Sequence, residues 1–178
     1  MQYRSIDDIY TANDAIREKL KQTVTALSAE QISALPEGEK WTLAQFVEHI
    51  SIVGEGVAAI CSKLLSKAEA AGLAGDGTVN ISNEFMQQGS AAANVKLEAP
   101  ERVQPNAGAT VEESFTKLDA SRAALESLRE KFTQFDGTQA KFPHPFFGDL
   151  SAQEWLVLSG GHEARHLKQM RLIIEKLS

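Results

Sequence analysis

Apolar residues recur every three or four positions along four long stretches of this chain, a spacing typical of amphipathic helices packed around a core. The first stretch runs from about Ser5 to Leu27 and the second from Thr42 to about Ala71. The third runs from Thr110 to about Phe132 and the fourth from Ser151 to about Lys176. Because each stretch is long enough for several helical turns, the pattern predicts four main helices.

The predicted helix starts carry their own signals. A Ser or Thr followed three residues later by Glu or Gln has the spacing of a capping box, which closes the first turn of a helix. Four such pairs stand at predicted helix starts, at Ser28 with Gln31, Thr42 with Gln45, Thr110 with Glu113 and Ser151 with Glu154. The first pair predicts a short helical piece before the turn at Pro36-Glu37-Gly38, and the other three open long helices.

Two connections separate the later helices. Residues 72 to 109 are rich in glycine, proline and small residues, and only the stretch from Asn80 to Asn94 is predicted to form a short helix there. Residues Phe135 to Leu150 form a second loop, rich in aromatics, prolines and glycines, and no strand-like alternation appears in the chain. We therefore predict an all-α fold, a four-helix bundle with a long crossover between helices two and three, as a single domain over residues 1–178.

Composition excludes several classes of function. The net charge is −6 and no segment is both basic and aromatic, so nucleic-acid binding and attraction to an anionic membrane are not expected. No uninterrupted apolar run approaches the ~20 residues that span a bilayer. The segment Met1 to Tyr10 lacks the apolar core of a signal peptide, and the only cysteine, Cys61, cannot form an internal disulfide. These features predict a cytoplasmic protein.

Histidines mark the candidate chemistry. With about 100° per residue and Trp155 at 0°, His162 and His166 fall about 20° to either side, in the middle of the buried stripe of helix four. Their i, i+4 spacing places both imidazoles on one helix face. His49 lies at the edge of the apolar arc of helix two, where it can point into the bundle between helices.

Each histidine taken alone has an ordinary explanation. A single histidine on an apolar stripe is more often a hydrogen-bonded core residue than a ligand, and an H-x-x-x-H pair arises by chance. The conjunction is more informative, because two neutral imidazoles in a buried stripe need partners for four ring nitrogens. A metal ion satisfies one nitrogen of each ring, so His49, His162 and His166 are predicted to bind one divalent metal ion.

The stretches Trp41-Thr42-Leu43-Ala44-Gln45-Phe46-Val47-Glu48-His49 and His162-Glu163-Ala164-Arg165-His166 resemble motifs of the DinB-like superfamily. The resemblance spans most of the chain and implies a four-helix bundle that binds nickel, zinc, iron or manganese through three histidines. It assigns that ligation to His49, His162 and His166. Some members are thiol-dependent transferases or isomerases that use bacillithiol, mycothiol or glutathione. The approach His144-Pro145-Phe146-Phe147-Gly148 is similar to one branch, which often has a second histidine where this chain has Arg165.

Further residues are candidates for supporting roles. His144 is a candidate acid or base at the mouth of the metal site, although a histidine in a surface loop is the simpler interpretation. Arg165 is a candidate clamp for a substrate carboxylate, or else a solvated or salt-bridged arginine. Gln45, one turn before His49, is a candidate to orient its ring. Gly160-Gly161 lowers helix propensity before His162, for close packing or for access to the metal.

Three functions remain open at this point. The first is a metal-dependent enzyme, a thiol S-transferase or a hydrolase, that acts on a small-molecule substrate, with a low-molecular-weight thiol as a possible partner. The second is a noncatalytic bundle in which the metal is a structural staple or a sensor. The third, haem binding through a bundle histidine, lacks a c-type attachment motif. A homodimer is a further expectation.

Overall fold

The computed structural model of the protein describes residues 3–92, 95, 97–106 and 108–177. Its bundle is built from α1 (Ile6–Thr25), α3 (Leu43–Ala70), α5 (Val111–Glu126) and α7 (Ala152–Leu177). The helix α3 packs against both α5 and α7, and α1 packs against α7. The predicted all-α four-helix bundle is therefore confirmed. A short α2 (Ala29–Ser33) connects α1 to α3.

The capping residues act as the sequence predicts. Thr42 accepts a hydrogen bond from the Gln45 N–H at 3.2 Å, and the Gln45 carboxamide oxygen accepts one from the Thr42 N–H at 3.0 Å. The same reciprocal pairs form at Ser28, Thr110 and Ser151. Because each pair satisfies two otherwise unpaired amide groups, it fixes where the helix begins.

The third helix differs from its predicted extent. It stops at Glu126, and a separate α6 (Arg129–Gln134) follows. The Ser127 hydroxyl donates to the Ala124 carbonyl oxygen at 2.7 Å, and the Leu128 N–H bonds to the Leu125 carbonyl three residues back. Such tighter bonds end an α-helix. The apolar periodicity of the sequence continues across this break and therefore does not reveal it.

The predicted loop from Phe135 to Leu150 contains a β-hairpin, which corrects the expectation that the chain has no strands. Strand β1 (Lys141–His144) pairs antiparallel with β2 (Gly148–Ser151), with Phe142 opposite Leu150. Gly148 has a φ of +67°, a conformation that favours glycine at the turn. The Trp155 indole N–H donates to the Phe142 carbonyl at 3.2 Å and attaches the hairpin to α7. Both strands are only four residues long and β1 contains Pro143, so the sequence shows no clear alternation of apolar and polar residues here.

The crossover from α3 to α5 carries α4 (Asn83–Ala92) and a 3₁₀ turn (Glu101–Val103). The predicted short helix from Asn80 to Asn94 corresponds to α4, and Ala93 and Asn94 lie outside the described residues. Two buried side chains at the start of α7 hold the beginning of the crossover. Gln153 accepts from the Asn80 N–H at 2.7 Å, and Glu154 accepts from the Ser82 N–H at 3.1 Å.

The core has two apolar clusters separated by a buried polar layer. One cluster includes Ile9, Leu64 and Trp155, and the other includes Leu20, Leu43 and Met170. Buried polar side chains belong to the layer between them; they are Arg17, His49, Ser51, Ser121, Ser159, Glu163 and His166. Burying so many polar groups is costly unless they are paired, so this layer is the first place to look for function.

Among the described residues, helix α3 alone is long and apolar enough to cross a membrane, although its apolar residues are interrupted by polar ones. Core helices can have the same length and composition, and 56% of the most apolar window of α3 is buried within the bundle. Its burial between α5 and α7 accounts for its apolar composition.

Candidate metal centre

The bundle brings the three predicted histidines together. His49 projects from α3, and His162 and His166 project from successive turns of α7. The Nε2 atom of His162 lies 3.2 Å from Nε2 of His49 and 3.1 Å from Nε2 of His166. His49 and His166 are buried, at 3% and 8% exposure, and His162 is half-buried. Three imidazole nitrogens from two helices thus converge on one point.

Hydrogen bonds at the opposite edge of two rings fix their tautomers. The Nδ1 atom of His49 lies 2.6 Å from the Val103 carbonyl oxygen, which can only accept, so Nδ1 carries the proton. Nδ1 of His166 lies 2.7 Å from the carboxamide oxygen of Gln169 and donates in the same way. A neutral imidazole has one N–H, so Nε2 of both rings presents a lone pair to the cluster centre.

This donor set fits a divalent cation. With two Nε2 atoms unprotonated, one N–H on His162 can satisfy only one of them, and a lone pair remains unpaired at a buried position. Nitrogen ligands ~2.1 Å from a shared metal lie about 3.0–3.4 Å apart, and the two measured separations agree with that range. One ring nitrogen from each histidine lies within 4.8 Å of the corresponding nitrogens of the other two. The residues therefore fit a metal ion held on one face.

The electrostatic environment favours neutral rings, the form that binds metals. Burial lowers the pKa of His49, partly offset by its hydrogen bond to Val103. Burial also lowers the pKa of His166 to about 3. It holds the pKa of His162 well below its usual value, with further lowering by the other two histidines and by Arg165.

Aromatic rings pack around two of the candidate ligand side chains. The Trp41 ring centroid lies 4.9 Å from that of His49, and the Phe46 centroid lies 5.5 Å from that of His166. Trp41 and Phe46 also contact each other in an edge-on arrangement. These rings restrict the imidazoles to few rotamers, which preorganises the site before any ion binds.

The two glycines before His162 have different surroundings. A Cβ on Gly160 would lie 2.0 Å from Oδ1 of Asn13 on α1, whereas a Cβ on Gly161 would meet nothing within 4 Å. Gly160 thus permits close packing of α1 on α7, where Asn13 donates to the Leu156 carbonyl at 2.9 Å. Gly161 is exposed and leaves open space beside half-buried His162.

A buried ion pair connects α7, between His162 and His166, to helix α1. Arg17 binds both carboxylate oxygens of Glu163 and donates to the Leu118 carbonyl at 2.7 Å. The side chains of Arg17 and Glu163 are 8% and 4% exposed. Burial raises the pKa of Glu163 despite the opposing effect of Arg17. The pair fixes the rotation of α7 and, with it, the direction of both histidines.

His144 lies in the hairpin, packed among aromatic rings. Its ring centroid is 4.8 Å from that of Phe147 and 5.3 Å from that of Trp155. Nδ1 accepts a hydrogen bond from the Phe146 N–H at 3.1 Å, which leaves the proton of the neutral ring on Nε2. Burial and the charge of Arg102 lower the pKa of His144 to about 4. At neutral pH this group is suited to donate a hydrogen bond and unsuited to act as a cationic acid.

Arg165 and Gln45 are occupied by other contacts. Arg165 donates to the carbonyl oxygens of Ala92 and Val95, at 2.7 Å for the second, so it holds the crossover and not a carboxylate. Gln45 caps α3, as described above. The ring partner of His49 is Val103, which lies 54 residues away in sequence and which no local pattern could identify. The partner of His166, Gln169, is three residues away, where helical spacing could have indicated it.

Cys61 is buried in the apolar core, where burial raises the pKa of its thiol. A raised pKa disfavours the nucleophilic thiolate. Cys61 is therefore suited to packing in the core and not to acting as a nucleophile.

The chain is similar to known proteins in sequence and in fold. A sequence profile of the DinB superfamily matches residues 12–170. The uncharacterized protein YuaE of Bacillus subtilis (strain 168) is 28% identical over 157 residues, covering 85% of this chain and 88% of YuaE. The crystal structure of TT2238, a four-helix bundle protein, is similar with a TM-score of 0.62 at 26% identity, covering 94% of this chain and 99% of TT2238. Because the profile spans most of the sequence, the chain belongs to the DinB superfamily.

Proposed function

We propose that the chain binds one divalent metal ion through Nε2 of His49, His162 and His166, and that it is a metal-dependent enzyme acting on a small molecule. The observation that supports ligation is the convergence of three Nε2 atoms, two of them with the proton fixed on the opposite nitrogen. Such an ion would supply Lewis acidity and lower the pKa of a bound water or thiol. Nickel, zinc, iron and manganese are all compatible with imidazole ligands.

Side chains of the chain itself support an enzyme over a purely structural site. Among the described residues the cluster offers three protein ligands, whereas structural zinc sites usually have four. His162 is half-buried, so the cluster can be approached by a ligand from that side. His144, neutral and with its proton on Nε2, is suited to orient such a ligand by donating a hydrogen bond.

The choice of reaction rests on family resemblance. Some DinB-like proteins transfer low-molecular-weight thiols, and we propose thiol S-transfer ahead of hydrolysis for this chain. We also propose a cytoplasmic location, because a single cysteine, Cys61, that is free and buried is compatible with a reducing compartment.

A second candidate is a noncatalytic bundle in which the metal staples α3 to α7. The observation that favours it is the position of the ligands, since His49 and His162 lie 113 residues apart in the chain. An ion that binds only the folded state would stabilise that state by mass action and would hold α3 and α7 together.

Exchange of external ligands at bound cobalt separates the two candidates. The chain loaded with Co²⁺ would be titrated with thiocyanate and with 2-mercaptoethanol while the visible absorption is recorded. An enzyme site with open positions predicts new bands and saturable binding, and an unchanged spectrum would favour the staple. A screen of glutathione, bacillithiol and mycothiol with an aromatic electrophile then tests thiol transfer, with His162→Ala as the inactive control.

A further inference from the structure

Two neighbouring residues of α3 hold the same short segment of the crossover. His49 donates from Nδ1 to the Val103 carbonyl at 2.6 Å, and Oε1 of Glu48 accepts from the Asn106 N–H at 3.0 Å. Both side chains are buried, with Glu48 at 4% exposure. Adjacent helical residues point about 100° apart, so contacts from both to one segment require that segment to lie across this face of α3.

The segment is stiff between its two points of attachment. The Val103 N–H bonds to the Pro100 carbonyl at 3.0 Å, and the Gln104 N–H bonds to the Glu101 carbonyl at 3.1 Å. Pro100 and Pro105 each have a fixed φ and border the turn on both sides. A displacement at Asn106 would therefore be transmitted to the Val103 carbonyl, three residues away.

Burying the Glu48 carboxylate costs free energy that a purely structural contact would not require. Its carboxylate is buried, and within the described part of the chain no Lys, Arg or His pairs with it as Arg17 does with Glu163. A buried charge without an ion-pair partner costs free energy that a neutral residue would avoid. A carboxylate accepts from an amide N–H more strongly than a neutral oxygen does, which accounts for its use where a precise position matters.

We propose that Glu48 is a positioning residue for the metal centre: it anchors Asn106, and through the 3₁₀ turn it holds the Val103 carbonyl that fixes the tautomer and direction of the His49 ring. With this anchor, Nε2 of His49 presents its lone pair to the cluster. Without it, the ring loses its Nδ1 acceptor and is free to carry its proton on Nε2, which weakens ligation by that nitrogen. The inference rests on the metal site proposed above.

The first test reads the tautomer directly, without metal. The chain has only four histidines, so ¹⁵N-histidine labelling gives an NMR spectrum in which each ring is resolved and assigned by substitution. Metal-free wild type is expected to show His49 protonated on Nδ1 alone. Glu48→Leu is expected to show a mixture of tautomers for His49 and an unchanged His166. An unchanged single tautomer for His49 in Glu48→Leu would overturn the proposal.

The second test measures zinc affinity by competition with a chromophoric chelator. Loss of an outer partner of a metal ligand lowers affinity by about 10- to 100-fold, and this is expected for Glu48→Leu. Glu48→Gln keeps an acceptor oxygen, although a weaker one than a carboxylate, and is expected to stay within about threefold of wild type because the contact to the Asn106 N–H remains. Equal losses in Glu48→Gln and Glu48→Leu would contradict the proposal.

Matched controls separate positioning from stability. Gln153 is also 4% exposed and also accepts from a crossover amide, that of Asn80. Gln153→Leu should lower the melting temperature without weakening zinc binding, and an equal loss of affinity there would refute a specific role for Glu48. If Glu48→Leu does not fold, Asn106→Pro removes the same N–H from an exposed position, and it should give the same tautomer mixture.

The outcomes also separate this inference from the proposed function. If wild type binds no divalent ion, the metal proposal fails while the tautomer experiment still tests the anchor. If wild type binds zinc and Glu48→Leu binds it equally well with an unchanged tautomer, the metal proposal stands and only the anchor is refuted.

Discussion

Acid should destabilise the metal-free protein through its buried histidines, and His166 allows the effect to be calculated. In the unfolded chain a histidine has a pKa near 6.5, whereas burial lowers the pKa of His166 to about 3 in the folded chain. As the pH falls below 6.5, the unfolded state binds a proton on this histidine and the folded state does not. The free energy of unfolding must therefore decrease from pH 6.5 down towards pH 3, where the folded state also becomes protonated.

The magnitude follows from the width of that window. Between pH 7.5 and pH 5, the unfolded state alone binds the extra proton over about 1.5 pH units, from about pH 6.5 down to pH 5. At about 1.36 kcal/mol per pH unit, His166 alone lowers the free energy of unfolding by about 2 kcal/mol. The pKa values of His49 and His162 are also lowered, so the total loss from the three rings should be larger.

Urea unfolding of chelator-treated protein at pH 7.5 and pH 5 measures this loss, with His166→Gln as the comparison. The variant lacks the titrating ring but shares nearly every other ionisable group, so those contributions largely cancel. The pH-dependent loss should be about 2 kcal/mol smaller in His166→Gln than in wild type. A difference below about 0.5 kcal/mol would refute the claim that the folded environment keeps His166 neutral.

Three further predictions concern packing and the ion. Gly160→Ala should lower the free energy of unfolding by about 1–3 kcal/mol in a urea titration, because the new Cβ would collide with Asn13. Gly161→Ala, where a Cβ meets nothing within 4 Å, should instead raise it by about 0.5–1 kcal/mol through better helix propensity. Arg17→Met should cost about 3–5 kcal/mol, because Glu163 is left buried without its partner, and the double variant with Glu163→Leu should recover part of that loss. Zinc at a hundredfold excess over its dissociation constant should stabilise the protein by about 2.7 kcal/mol in a thermal melt at pH 7.5, and a chelator should remove this effect. The metal-free chain should still fold, and complete unfolding with chelator would favour the staple.

The helices were predictable because their signals are local. Capping pairs such as Thr42 with Gln45 lie three residues apart and act within one turn, so the sequence displays both partners together. The same holds for His162 and His166, whose shared face follows from helical geometry. The break after Glu126 was not visible, because apolar periodicity continues through it.

The parts that were missed depend on contacts between distant residues. The Val103 carbonyl reaches His49 across 54 residues, and the Asn106 amide reaches Glu48 across 58. Backbone groups carry no sequence signature, so nothing in the chain marks Val103 as a ring partner. Arg165 likewise binds backbone carbonyls of the crossover, which neither charge nor spacing could indicate.

The central claim is that His49, His162 and His166 bind one divalent ion, and elemental analysis tests it most directly. Metal-free protein would be incubated with excess Zn²⁺, freed of unbound ions by gel filtration and measured for zinc per chain. Wild type should retain about one ion, His49→Ala should retain much less, and the double variant His162→Ala with His166→Ala should retain none. The variant His144→Ala, in the hairpin, serves as a control and should bind as wild type does. Undiminished zinc in the double variant would contradict the account.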